Sequence, residues 1–136
     1  MRVFEARLQV QWADVDVAGI MYFAAYSRFA EYAEMQFFAE LGFPYESVFA
    51  TYDFWLPRVH VEAEYHAPAL MSDWLRMRTQ VQRIGRSSLR WQTTFHNERT
   101  GEPGAVMTFI VAAVDAATKK SRPLPEPIRS ALLACV

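Results

Sequence analysis

Between Trp12 and Phe23 the chain reads Trp-Ala-Asp-Val-Asp-Val-Ala-Gly-Ile-Met-Tyr-Phe, which sets two carboxylates, Asp14 and Asp16, and Gly19 just ahead of a long apolar segment. A carboxylate can attack an acyl carbonyl or take a proton from water. The segment behind it matters as much. In the first turn of a helix the backbone N–H groups lack intrahelical partners, and the dipole favours negative charge there by about 0.3–1 kcal/mol. A carbonyl oxygen held against them is stabilised as it becomes an oxyanion, on the order of 3 kcal/mol per preorganised donor in acyl transfer. Carboxylate and helix start together suit acyl transfer.

Other readings compete. Asp-Val-Asp-Val-Ala-Gly matches the start of a calcium loop, but the fifth position is Ala18 and the twelfth, which needs a bidentate glutamate, is Ala25. An aspartate at a strand–helix junction can also simply cap the helix. Tyr22 and Tyr26 either border an acyl site or belong to an ordinary aromatic core. Glu31, on the helix itself, is a second candidate acid, although a helical glutamate is ordinarily solvated. His60, Glu62, Glu64 and His66 share one strand face, yet at about 3.3 Å per residue the two histidines lie roughly 20 Å apart, so no metal site is expected. His60 or Arg58 could border the acyl pocket. Arg83, Arg86, Ser87 and Ser88 gather guanidinium forks and hydroxyls at a turn, a set that suits phosphates or a solvated hairpin. The serines have no His and Asp at recognisable spacing, which leaves a serine hydrolase unsupported.

The elements that must position these groups follow from periodicity. Val3, Ala6, Leu8, Val10 and Trp12 predict a first strand. From Tyr22 to Leu41 apolar residues recur at steps of three and four, predicting a long helix closed by Gly42. Ala30 and Ala33 would let it approach a sheet closely, and Tyr32, Met35 and Phe38 widen its apolar sector beyond one packing face, which predicts a crowded environment such as a subunit contact. One helical turn is expected after Pro44. Strands then follow over 59–66, 75–82 and 89–95, with an apolar run over 105–114, and a short helix over 128–134 has Pro127 at its first position. The order predicts an α+β domain with an antiparallel sheet and one helix on a face. One helix cannot cover five strands, so self-association is expected.

The 136 residues fit a single domain, 1–136, and 52% are apolar and 15% aromatic. Fourteen basic against fifteen acidic residues give a net charge of −1, which argues against nucleic acid or an anionic membrane as the main partner. A lone Cys135 excludes an intrachain disulfide, and neither a signal peptide nor a membrane span is apparent, so a cytoplasmic location is expected.

The stretch Asp14-Val-Asp16-Val-Ala-Gly19-Ile-Met-Tyr22-Phe23-Ala-Ala-Tyr26-Ser-Arg28-Phe29-Ala-Glu31 resembles the opening motif of the hotdog-fold 4-hydroxybenzoyl-CoA thioesterases and their relatives, the tol-pal-associated acyl-CoA thioesterases. The resemblance continues through Glu64-Tyr65-His66-Ala67-Pro68-Ala69 and reaches Pro125-Glu-Pro-Ile-Arg129. It implies a hotdog fold, a long central helix wrapped by an antiparallel sheet of five to six strands, in homodimers or homotetramers with the active site at a subunit interface. It implies that Asp16 is the catalytic carboxylate, as nucleophile or general base. Gly19 would admit the acyl group and the Phe23 N–H would bind the thioester carbonyl. It also assigns the hairpin with Arg86, Ser87, Ser88 and Arg83 to CoA, which is part of the substrate, so no cofactor is expected. Where many relatives carry His or Tyr this chain has Phe23, whose ring cannot hydrogen-bond; Tyr22 and Tyr26 could compensate. A dehydratase is disfavoured, because no His stands where it could pair with the acid. A non-catalytic acyl-CoA-binding module is the alternative from another class.

Overall fold

The computed structural model describes all 136 residues. Its central element is helix α1, Phe23–Leu41, whose buried stripe includes Tyr26, Phe29, Ala30, Ala33, Phe37 and Phe38. Gly42 takes the left-handed conformation at φ 94°, and the Phe43 N–H turns back to the Phe38 carbonyl at 2.9 Å, which ends the helix. Strands β1 (Phe4–Gln9), β3 (Arg58–Tyr65), β4 (Trp74–Ile84), β5 (Ser88–Asn97) and β6 (Glu102–Ala112) form one antiparallel sheet in the order β1-β4-β5-β6-β3. Leu75, Met77 and Val81 of β4, Leu89, Trp91 and Phe95 of β5, and Met107 and Val111 of β6 are buried in one core with the helix stripe. Ala30 and Ala33 sit within that core, as their small size predicts. Phe29 and Phe37, both fully buried, would each cost roughly 3–5 kcal/mol on truncation to Ala. The hydroxyls of Thr79 and Thr93 satisfy one another at 2.8 Å inside the core.

Several expectations are corrected. The first strand stops at Gln9, and Trp12 belongs to a short 3-10 turn, Trp12–Asp14, with its ring in solvent. The segment after Pro44 is a full helix, α2, Tyr45–Tyr52, which packs Val48 into the core. Phe38 is buried within its own chain, its ring tilted against those of Phe37 and Tyr45, so its crowded environment is intrachain and not a subunit contact, whereas Met35 remains exposed. The last helix, α3, is Glu126–Leu133, with Pro127 at its second position. Two further strands, β2 (Phe54–Trp55) and β7 (Val114–Asp115), pair apart from the main sheet. Strand β3 is open along one edge, and Val59 and Val61 are 61% and 48% exposed, because α1 does not extend over them. No helix is long and apolar enough to cross a membrane.

Candidate active site

The site is built where β1 runs out. The Val10 N–H donates to the Asp73 carbonyl and the Ser72 N–H to the Val10 carbonyl, both at 2.8 Å, which docks the chain before it turns. Asp14 then closes the 3-10 turn: its carboxylate accepts the Gln11 N–H at 2.8 Å and, on its other oxygen, the Arg28 guanidinium. Asp14 is buried, so of the motif's two carboxylates only Asp16 is presented to solvent.

Asp16 begins a tight hairpin. Its N–H donates to the Ile20 carbonyl at 3.0 Å and its carbonyl accepts the Gly19 N–H at 2.9 Å. Gly19 lies at φ +76°, where a side chain is strained, so the turn itself requires a glycine. The Asp16 carboxylate accepts one intrachain hydrogen bond, from the Ala18 N–H at 2.9 Å, which leaves its second oxygen free. It does not cap the helix: the N-cap is Tyr22, in extended conformation and without a side-chain hydrogen bond. The Tyr22 N–H returns to the Asp14 carbonyl at 3.0 Å, so the hairpin is pinned at both ends.

At the helix start the Phe23 and Ala24 N–H groups find no acceptor within the chain. They are the free donors an anion or a carbonyl oxygen requires. The Phe23 ring is 75% exposed and borders a cavity of about 300 Å³ with Ile20, Met21, Tyr26, Tyr65 and His66. Tyr26 is buried beneath it, edge-on to Tyr65 at 5.2 Å and Phe95 at 5.3 Å, and burial followed by the neighbouring Tyr65 raises its hydroxyl pKa. It therefore stays a neutral donor at physiological pH. Tyr22 is partly exposed and does not line this cavity. Asp16 borders a different hollow, with Trp12, Val17 and Met71.

The remaining predicted residues lie elsewhere. Glu31 is exposed midway along α1, in a hollow with Arg28, Glu34 and Arg58 rather than with Asp16. His60 pairs with Ile110 at the far end of β3, which removes it from the cavity; the imidazole-bearing residue there is His66. Each histidine has a glutamate two residues away on the strand, His60 with Glu62 at 3.9 Å and His66 with Glu64 at 3.5 Å. Arg58 is bound to Glu34 and lies over the rings of Trp91 and Phe109, so it does not border the cavity either. Arg83, Arg86, Ser87 and Ser88 do lie together at the β4–β5 hairpin. That turn is braced from behind by the Leu124 N–H on the Arg86 carbonyl and the Arg129 guanidinium on the Gly85 carbonyl. Because β4 spans Trp74 to Ile84, the hairpin is roughly 30 Å along the strand from the junction that carries Asp16. One chain alone does not bring the two together.

Residues 10–132 match the model of the thioesterase-like superfamily. The chain belongs to that superfamily. Among its relatives are the 1,4-dihydroxy-2-naphthoyl-CoA hydrolase of Synechococcus elongatus, 27% identical over 95% of this chain and 94% of that protein, and the acyl-CoA thioester hydrolase YbgC of Escherichia coli, 28% identical over 93% and 92%. The crystal structure of Slr0204, a 1,4-dihydroxy-2-naphthoyl-CoA thioesterase from Synechocystis, superposes with a TM-score of 0.89 at 22% identity, covering 97% of this chain and 96% of that one. The fold is the hotdog fold of this superfamily.

Within this thioesterase-like frame, three buried acids carry structure that the motif did not announce. Asp14 is one. Glu34 accepts both the Arg58 guanidinium and the Tyr45 hydroxyl, whose pKa is raised well above its ordinary value by burial and by Glu34 itself. Asp73 accepts Arg99 at 2.7 Å, the Leu70 N–H at 2.8 Å and Asn97 at 2.8 Å, and Arg99 holds its carboxyl at about 2. Glu34 had a sequence signal, since it follows Ala30 at the same four-residue step as the apolar stripe. Asp73 had none beyond its place before a strand.

Proposed function

We propose that this protein is an acyl-CoA thioesterase, hydrolysing an acyl-CoA to free acid and CoA with Asp16 as the catalytic carboxylate. One observation carries the reading: a carboxylate with a free oxygen is held by a pinned hairpin a few residues before two unpartnered helix N–H groups. The thioester carbonyl rests against the Phe23 N–H, which strengthens its hold as charge builds on oxygen. Asp16 either attacks the carbonyl carbon or deprotonates the water that does. A thiolate is a good leaving group near neutral pH, so the reaction needs no strong general acid and no cofactor; CoA arrives as part of the substrate. Names of relatives fit this reading, since they act on naphthoyl-CoA and acyl-CoA thioesters.

The acyl group lies in the cavity beside Phe23. Its aromatic walls and modest volume suit an aromatic or a short to medium fatty acyl group. The working unit is a homodimer or homotetramer. Its support is the open edge of β3, with Val59, Val61 and Tyr65 uncovered, and the distance of the CoA hairpin from Asp16 in one chain. Charge balance supports no nucleic-acid partner, and the single buried Cys135 fits a reducing, cytoplasmic setting.

The test is thiol release over a panel of aromatic and fatty acyl-CoAs. Asp16→Asn is expected to lower kcat by about 10²–10⁴-fold on the best substrate, the range for losing a positioned base or nucleophile. Glu31→Gln should leave the rate unchanged. Cleavage of no thioester, or full rate in Asp16→Asn, sinks the proposal.

A further inference from the structure

Asp14 faces inward, and everything it holds belongs to the two arms that carry the chemistry. Its carboxylate accepts the Gln11 N–H at 2.8 Å, its carbonyl accepts the Tyr22 N–H at 3.0 Å, and its N–H donates to the Gln11 carbonyl at 2.9 Å. Gln11 ends the arm that leads to Asp16, and Tyr22 immediately precedes the Phe23 donor. A carboxylate this buried needs a cationic partner to stay charged, and the structure supplies one, Arg28 in the second turn of α1. The Arg28 side chain is itself 57% exposed, so it contributes little to core packing.

We propose that Arg28, acting through Asp14, is a positioning residue for thioester hydrolysis: the pair fixes the spacing between the Asp16 carboxylate and the Phe23 N–H. The inference rests on the acyl-CoA thioesterase reading. Without Arg28, the buried Asp14 carboxylate loses its counter-ion and turns toward water, and its hold on the hairpin loosens. A displacement of about 1 Å between reacting groups is enough to cost about 100-fold in rate, while leaving ground-state binding of the substrate largely alone.

The experiment compares Arg28→Gln and Arg28→Lys with wild type in the full chain. It reads kcat and KM on the best acyl-CoA of the panel, melting temperature, and amide hydrogen exchange across residues 11–23. Arg28→Gln is expected to lower kcat about 10- to 100-fold with KM within about twofold. Its melting temperature should fall, because Asp14 loses its counter-ion, but the protein stays folded at the assay temperature, and there the Asp16 and Tyr22 N–H groups exchange faster while the amides of the sheet do not. Arg28→Lys, which keeps the charge, should recover much of the rate. Unchanged kcat in Arg28→Gln, equal impairment of the Lys and Gln variants, or unchanged exchange in the hairpin overturns the proposal. A wild type that releases no thiol sinks the thioesterase reading instead, and the exchange data then decide whether Arg28 holds the hairpin.

Discussion

Arg58, the first residue of edge strand β3, donates a hydrogen bond to Glu34 in the middle of α1, while Tyr45 of α2 donates to the same carboxylate. Three elements thus meet on one buried charge. Removing one partner of such a pair costs about 3–5 kcal/mol, because the charge left behind has neither water nor a counter-ion. Arg58→Ala is therefore expected to lower stability by that amount in urea melts, and Glu34→Gln by less, since the amide oxygen still accepts from Tyr45. Equal stability of Arg58→Ala and wild type would refute the assignment.

Acid should find a different weak point. Arg99, helped by the Leu70 N–H and Asn97, holds the Asp73 carboxyl at about 2, against an ordinary value of 3.8. A depressed carboxylate contributes stability above its unfolded pKa and loses it as pH falls through the folded one. The gap corresponds to roughly 2 kcal/mol, trimmed toward about 1 by solvent at the half-exposed Arg99 fork. That contribution is full at pH 7, declines below about pH 5 and is gone below pH 2. Melts of wild type and Asp73→Asn should converge as pH is lowered across this window.

Gly19→Ala isolates the hairpin's backbone. No atom lies within 4 Å of the added methyl, so the only cost is the left-handed φ of +76°, about 1 kcal/mol. The variant should fold, and its thiol-release rate should fall more than its affinity for substrate. A KM effect alone would mean that Gly19 serves to admit the acyl group after all.

The hairpin arginines predict a complementation result. Arg86→Ala, with Arg83→Ala beside it, is expected to raise KM for acyl-CoA about tenfold with kcat held, because it removes charge-assisted bonds to phosphate. If the hairpin of one subunit serves the Asp16 of another, mixed oligomers of Asp16→Asn and Arg86→Ala chains should regain a wild-type KM at part of the sites. Failure to regain it would remove this hairpin from the site that Asp16 serves.

Strand β3 supplies the last prediction. Val61→Lys puts a charge on the uncovered edge, where assembly needs apolar contact. Sedimentation should show monomers, and thiol release should fall with assembly. An oligomer that survives Val61→Lys removes β3 as the interface.

What the sequence announced was strongest where periodicity had no rival. The three- and four-residue steps of α1 and the alternation of β4 and β5 carried over nearly residue for residue, because each element packs a single face on the core. Helix α2 runs for eight residues where one turn is expected, although Tyr45, Val48, Phe49 and Tyr52 stand at helical spacing. Alternation in β3 did not say whether either face is buried. It marks side-chain direction, and burial depends on what lies opposite, which for an edge strand is set by sheet order. In the candidate site the local geometry around Asp16 and Phe23 was legible, since it spans one turn. The displacement of His60 and of the 83–88 hairpin was not, because it follows from antiparallel register across strands far apart in sequence.

That strand order also governs how the chain can be made. β1 has no partner until β4 has been synthesised, about 70 residues later, and β3 none until β6 emerges. The helix, with its local contacts, can form first, yet Phe29 and Phe37 stay bare while the ribosome adds the strands that will cover them. Through most of translation the protein is therefore a sticky helix between two unpaired ribbons. A chaperone's interest in the nascent chain should peak before residue 112 and fall away once β6 closes the sheet.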